Sequence, residues 1–186
     1  MITTEPIKIA IPFGADKNWT GDAWDRLVNI CSESGIVGID GFDGAGKTLL
    51  SERLAKETGA DLIHIDDYLI KDKKAYVEFI QNDQLDEAIT NCKSATTIVE
   101  GVCLLEIMQR CGRKVAQHIY VKRMSPMGIW TGEGVYFGDK LSDVGKDVDE
   151  YHKIVEPNRR ADVVVELPRK LAEHWWCESN AQVARK

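Results

Sequence analysis

The sequence predicts an α/β protein, a three-layer sandwich in which a mostly parallel sheet of about five strands lies between helices and follows a strand–helix extension. Three observations predict it. Apolar runs recur at residues 36–40, 61–65, 96–100, 115–121 and 162–166, without the polar alternation of a half-exposed strand. Stretches with helical spacing separate several of these runs, as parallel strands require. The length of 186 residues, with 44% apolar and 29% charged residues, suits one domain with a real core.

In chain order, residues 1–35 form the extension, with a strand at Ile7–Ile11 and a helix from about Asp22 to Ser32 whose cap lies near Thr20 or Gly21. A strand follows at residues 36–40, then a glycine-rich turn, then a helix opening on Thr48-Leu49-Leu50-Ser51-Glu52-Arg53-Leu54. Next come a strand at Asp61–Ile65, a helix within Lys73–Cys92, a strand at Thr96–Glu100 and a short helix near Leu104–Arg110. The strands at Val115–Val121 and Asp162–Glu166 complete the sheet. Between them, Met124–Gly145 carries Gly128, Gly132, Gly134, Gly138 and Gly145 around Trp130, Tyr136 and Phe137. That composition predicts an irregular, mobile segment, and its place after the fourth sheet strand suits a lid over a ligand.

The net charge of −6 excludes broad electrostatic capture of nucleic acid or anionic membrane. Cys31, Cys92, Cys103, Cys111 and Cys177 are scattered and read as buried free thiols. With no leader-like N-terminus and no run long enough to span a membrane, a reduced, cytoplasmic protein is expected. His64, His118, His152 and His174 show no metal-ligand spacing. Leu171, Trp175 and Trp176 read as an amphipathic helix packing on the body.

The chemistry enters at Gly41-Phe42-Asp43-Gly44-Ala45-Gly46-Lys47-Thr48. A polyphosphate can be enclosed only where side chains are absent and backbone N–H groups point inward. Gly41, Gly44 and Gly46 permit that, Lys47 can follow the β- and γ-phosphates, and Thr48 can offer its hydroxyl oxygen to Mg²⁺. Gly41, Asp43, Gly44, Ala45, Gly46, Lys47, Thr48 and Leu49 are therefore the expected nucleotide-binding set of a P-loop NTPase fold. No Asn-Lys-x-Asp segment marks a guanine-specific switch, and the strand Thr97-Ile98-Val99-Glu100 does not end in the aspartate of an ATP-driven motor. That favours phosphoryl transfer to a bound acceptor.

Ligands of open parallel sheets sit beyond the carboxyl ends of the strands. Asp66 and Asp67 follow Leu62-Ile63-His64-Ile65, and Glu100 ends the next strand, so all three are expected near the terminal phosphate. A kinase needs a carboxylate to take the proton of the acceptor hydroxyl and others to arrange the metal and its waters; Thr48, Asp66 and Glu100 are the metal-site candidates.

These segments resemble the uridine kinase-like branch of P-loop kinases, which includes uridine, phosphoribulose, pantothenate and nicotinamide riboside kinases. The resemblance rests on residues 38–48, on Asp66-Asp67-Tyr68, on Val99-Glu100-Gly101-Val102, and on Glu156-Pro157-Asn158-Arg159-Arg160-Ala161-Asp162-Val163-Val164-Val165. It implies an ATP- and Mg²⁺-dependent phosphotransferase with a closing lid, acting on a small-molecule acceptor. Lys47, Asp66, Asp67, Glu100 and Arg123 are then the catalytic candidates. In that resemblance Asp66 takes the position of the base, Asp67 is its adjacent alternative, and Arg123 stands where a lid arginine would begin. The lid of that branch carries several arginines, whereas residues 124–145 carry none, so Arg123, Arg159 and Arg160 are the cations left to the nucleotide. The short stretch between Asp67 and Glu100 lacks the acceptor-binding insert of nucleoside kinases. A non-catalytic ATP-binding regulator is the alternative reading, a nucleic-acid end kinase lacks the basic groove it needs, and a homodimer is compatible with the chain.

Overall fold

In a computed structural model of the chain, residues 5–11, 21–70, 73, 75–125, 127–130 and 143–168 are described. Six strands form one sheet: β1 (Ile7–Ala10), β2 (Gly35–Gly41), β3 (Asp61–His64), β4 (Thr96–Glu100), β5 (Gln117–Met124) and β6 (Val163–Pro168). Their spatial order is β1-β6-β5-β2-β4-β3 and every pairing is parallel. This is the expected sandwich, with the extension supplying the sixth strand at an edge.

Right-handed crossovers dictate which face each helix covers. From β1 to β2 and from β2 to β3 the chain steps one way across the sheet, so α1 (Asp22–Cys31) and α2 (Lys47–Thr58) share a face. The steps from β3 to β4, β5 and β6 run the other way, so α3 (Asn82–Asn91), α4 (Leu104–Arg110), α5 (Asp143–Val155) and the short α6 (Pro157–Arg160) lie opposite. Two cores follow, sorted by the period of two along each strand. Val37, Ile39, Ile98, Ile119, Val121, Val163 and Val165 pack with Trp24, Leu27, Leu50 and Leu54. Ile63 and Val99 pack on the other face with Leu85, Ile89, Leu104, Ile107, Met108, Val148 and Tyr151.

Most expected boundaries agree with the structure to within two residues. The helix expected within Lys73–Cys92 is confined to α3, preceded by a 3₁₀ turn at Val77–Phe79. The third strand ends at His64 rather than Ile65, and Ile65–Tyr68 is a turn of 3₁₀ helix. The sequence reading assigns no element between Gly145 and Pro157, whereas α5 occupies thirteen residues there and takes in the last three of the expected lid. Its apolar positions, Val144, Val148, Tyr151 and Val155, have amphipathic spacing, and all four pack into the second core. Residues 131–142 of the expected lid, and Leu171, Trp175 and Trp176, lie outside the described residues.

The segment Arg159-Arg160-Ala161-Asp162 anchors β6. Ala161 is buried against Tyr120 and Val164, and the Asp162 carboxylate accepts the His118 amide at 2.7 Å while its own amide donates to the His118 carbonyl at 2.9 Å.

Candidate active site

β2 and its neighbour β4 send their outgoing crossovers in opposite directions, the place at which an open parallel sheet leaves a crevice beyond its carboxyl ends. The phosphate loop begins there. Gly41 has φ +150° and its Cα lies so close to β5 that an added Cβ would meet the Val121 carbonyl oxygen at 2.6 Å. Any other residue would push the loop off the sheet. Gly46, with φ +96°, caps α2 in a left-handed conformation, which turns the chain so that the first amides of the helix face into the loop.

The side chains around this loop fall into two groups. Toward β4 and β3, the Thr48 hydroxyl donates to Glu100 Oε1 at 3.0 Å, and His64 Nδ1 lies 2.7 Å from the same oxygen. Glu100 is 5% exposed, whereas Thr48, Asp66 and Asp67 face solvent. Asp66 Oδ1 accepts a hydrogen bond from the Tyr76 hydroxyl. Burial, then that bond, holds the Tyr76 phenol far above its ordinary range, so its proton stays on the hydroxyl. The Tyr76 amide in turn donates to Asp147 Oδ2 on α5 at 2.7 Å, which fixes the segment that carries the tyrosine.

Toward β5 and α5 the surroundings are closed. Asp40 is fully buried; its Oδ1 accepts the Gly41 amide at 2.7 Å and its Oδ2 accepts the Tyr151 hydroxyl. Phe42, in the loop itself, stacks on the His152 ring at 3.7 Å with an interplanar angle of 10°, and Trp130 stands at 6.1 Å from Phe42. His152 Nδ1 faces the Val148 carbonyl at 2.7 Å and its Nε2 faces the Tyr120 hydroxyl at 2.8 Å. Those partners suit a neutral ring with its proton on Nδ1, and burial lowers the pKa accordingly.

The structure thus brings Lys47, Thr48, Glu100 and Arg123 to the loop and places Asp66 and Asp67 beyond the end of β3, two strands from β2. The Lys47 ammonium donates to the Phe42 carbonyl at 3.0 Å and is 7% exposed, folded onto the loop it serves. Arg123 donates from one guanidinium nitrogen to the Gly44 carbonyl at 3.0 Å. Asp43 is exposed at the loop tip, Ala45 is buried beneath it, and Leu49 packs partly into the first core. Arg159 and Arg160 are not brought there. They precede β6, whose first residue pairs with Ile119 and, through it, lies level with Ile39, so both sit toward the amino edge of the sheet. Arg159 instead bonds Glu156 at 2.6 Å on the surface.

Asp40, His64, Tyr76, Tyr151 and His152 are the site neighbours that sequence reasoning missed. Asp40 was legible as an acid ending a wholly apolar strand; the others depend on tertiary contacts between residues 10 to 111 positions apart in the chain, which no local pattern carries. Thr48 and Glu100 supply hard oxygen donors of the kind Mg²⁺ takes alongside phosphate and water, so the pair fits that ion. No cluster of three or more potential His, Cys, Asp or Glu ligands occurs among the described residues.

No protein-family model and no curated protein matches the chain. Among solved structures it is similar to one described as a possible uridine kinase from Bacillus stearothermophilus, with 19% identity over 76% of this chain and 98% of that one and a TM-score of 0.48. It is similar also to shikimate kinase from Acinetobacter baumannii in complex with shikimate (14% identity, 83% and 98% covered, TM-score 0.44). A third is thymidylate kinase from Candida albicans (12%, 83% and 94%, TM-score 0.43). Likenesses of this size carry no functional argument, and the function is read from the chain's own residues.

Proposed function

We propose that the protein is a small-molecule kinase of the uridine kinase-like type, transferring the γ-phosphoryl group of MgATP to a hydroxyl of a nucleoside, vitamin or sugar-like metabolite. The observation that carries the reading is the contact between the Thr48 hydroxyl and the Glu100 carboxylate at the mouth of a complete phosphate loop. A residue from the loop and the carboxylate that ends β4 converge here, and together they would hold a divalent ion that offsets phosphate charge.

The loop amides and the α2 N-terminus hold the phosphates, and Lys47 turns from the Phe42 carbonyl to the β- and γ-oxygens. Bound Mg²⁺ supplies charge neutralisation on those oxygens. Asp66, with one oxygen already engaged by Tyr76, offers the other to the acceptor hydroxyl. As the acceptor oxygen bonds to phosphorus, the bond from phosphorus to the ADP oxygen breaks and the hydroxyl proton passes to Asp66. Arg123, whose guanidinium lies beside Gly44, would offset charge on the transferring group.

One observation favours a second reading, a non-catalytic ATP-dependent regulator: residues 124–145 contain no arginine. Incubation with MgATP and pooled nucleosides, vitamins and sugars, read as ADP formed and acceptor phosphorylated, separates the two. Stoichiometric ATP binding without turnover on any acceptor would favour the regulator. Among the described residues no helix is long and apolar enough to cross a membrane, and a cytoplasmic setting belongs to the proposal.

A further inference from the structure

We infer that Asp40 and Tyr151 form a positioning pair that fixes the root of the phosphate loop from α5, and that affinity for the phosphates depends on it. The inference rests on the reading of residues 41–48 as a nucleotide-binding loop. Nothing in the proposed chemistry uses Asp40, yet it is a carboxylate with 0% exposure at the end of the central strand. A carboxylate survives away from water only where donors surround it. Here they are the Gly41 amide at 2.7 Å and the Tyr151 hydroxyl, with His118 Nε2 of β5 at 3.6 Å. Neither ring nitrogen of His118 has a hydrogen-bond partner among the described residues, so the hydroxyl is the side-chain donor seated on the carboxylate.

The hydroxyl oxygen does a second task. It accepts the Leu105 amide at 3.2 Å, one of the amides that the first turn of α4 cannot satisfy internally. Burial and the adjacent carboxylate push the Tyr151 phenol far above its ordinary range, so the group keeps its proton and donates it in one direction. A single oxygen thereby joins the residue before the loop, the helix that follows Glu100, and α5. The next residue of α5 grips the loop again, since His152 stacks on Phe42 at 3.7 Å. Two successive residues of one helix hold the loop at its root and at its second position.

Gly41 is the hinge this arrangement restrains. Its positive φ of 150° is available to glycine at little cost, so without the Asp40 anchor the chain direction entering residues 42–48 is poorly fixed. The amides that face the phosphates would then have to be ordered at the moment of binding, and affinity would fall.

The test is calorimetric titration of the full chain with MgATP and, separately, with inorganic tripolyphosphate, which probes the phosphate subsite alone. Tyr151→Phe, Asp40→Asn and the double variant are compared with wild type well below their melting temperatures. Each single variant should bind both ligands about tenfold more weakly, the scale of one charge-assisted hydrogen bond partly transmitted to the site. The double variant should bind no more weakly than the weaker single one, because the pair acts as a unit. A purely structural tyrosine would lower the melting temperature and leave both affinities at the wild-type value, and that result overturns the inference. Failure of the wild type to bind either ligand would overturn the loop reading itself, and this inference with it. Should Tyr151→Phe not fold, hydrogen exchange in the unmutated protein decides: ATP should raise protection at Gly41 and across residues 148–152 together, and unchanged protection at either place overturns the inference.

Discussion

Asp40 and Glu100 stand one residue apart in register at the ends of neighbouring strands, since Ile39 pairs with Glu100, and both carboxylates are withdrawn from solvent. Their surroundings differ in what can be displaced. Glu100 faces the hydroxyl of exposed Thr48 and a His64 side chain that is 28% exposed, partners that can turn away when an ion arrives. Asp40 faces a backbone amide and a tyrosine locked in a helix, partners that cannot. Burial alone therefore does not distinguish the two carboxylates; the displaceability of their donors separates the flank proposed to react from the flank proposed to support the loop.

The largest test breaks both flanks at once. Lys47→Ala removes the ammonium that must follow the β- and γ-phosphates, and ATP turnover should fall by about a thousandfold or more while thermal unfolding barely changes. Wild-type turnover in this variant would remove the loop from the mechanism. On the reactive flank, Asp66→Asn should keep MgATP affinity and lower acceptor phosphorylation by roughly 10²–10⁴-fold, with Asp67→Asn costing less. Both aspartates lie in a 3₁₀ turn, where successive side chains diverge by about 120°, so the two should not be interchangeable. A larger loss from Asp67→Asn would exchange their roles.

A smaller effect follows from Tyr76→Phe, which leaves Asp66 in place without its donor. Stability should drop by about 1 kcal/mol and acceptor turnover by about tenfold, with ATP affinity unchanged. A stability loss with normal turnover would make Tyr76 a packing residue only.

The smallest effect belongs to the supporting flank and is read by pH. Burial depresses the His152 pKa below its ordinary 6.5 against the opposing pull of the Val148 carbonyl and Asp40. Below that ordinary value the unfolded chain therefore binds more protons than the native one. The stabilisation is complete above about pH 6.5 and is lost as pH falls toward the depressed native value. His152→Phe should keep the stack on Phe42 and flatten the decline in melting temperature between about pH 7 and 5. An unaltered slope would show that His152 does not titrate in that window.

The sheet was legible because parallel strands covered on both faces leave apolar runs such as Val163-Val164-Val165, and the boundaries of Thr96–Glu100 are marked without error. α5 was not read, because glycines at 128–145 draw attention to irregular backbone while the spacing of Val144, Val148, Tyr151 and Val155 begins inside that stretch. The residues proposed to react follow strand ends that the sequence already locates: Glu100 ends β4, Asp66 comes just after β3, and Lys47 and Thr48 open the helix after the loop that leaves β2. The supporting flank depends on Tyr151 meeting Asp40 across 111 positions, and nothing in either local sequence announces the other. Arg159 and Arg160 show the converse, for they adjoin the amino end of β6, whereas the phosphate loop lies beyond the carboxyl ends of the strands.

The pairing of β1 with β6 has a consequence in time. Ile7 must wait for Val163 to be synthesised, about 150 residues later, which at ribosomal rates of about 5–20 residues per second is a delay of roughly 8–30 s. The strands around the phosphate loop, β2, β4 and β5, are all synthesised before Val163. A nascent chain is thus able to assemble the nucleotide crevice while its own first strand, with Ile7, Ile9 and Ile11, still lacks a neighbour. Pulse-labelled chains arrested after residue 130 would be the form most prone to aggregate through that segment, and the form a chaperone would first have to shield.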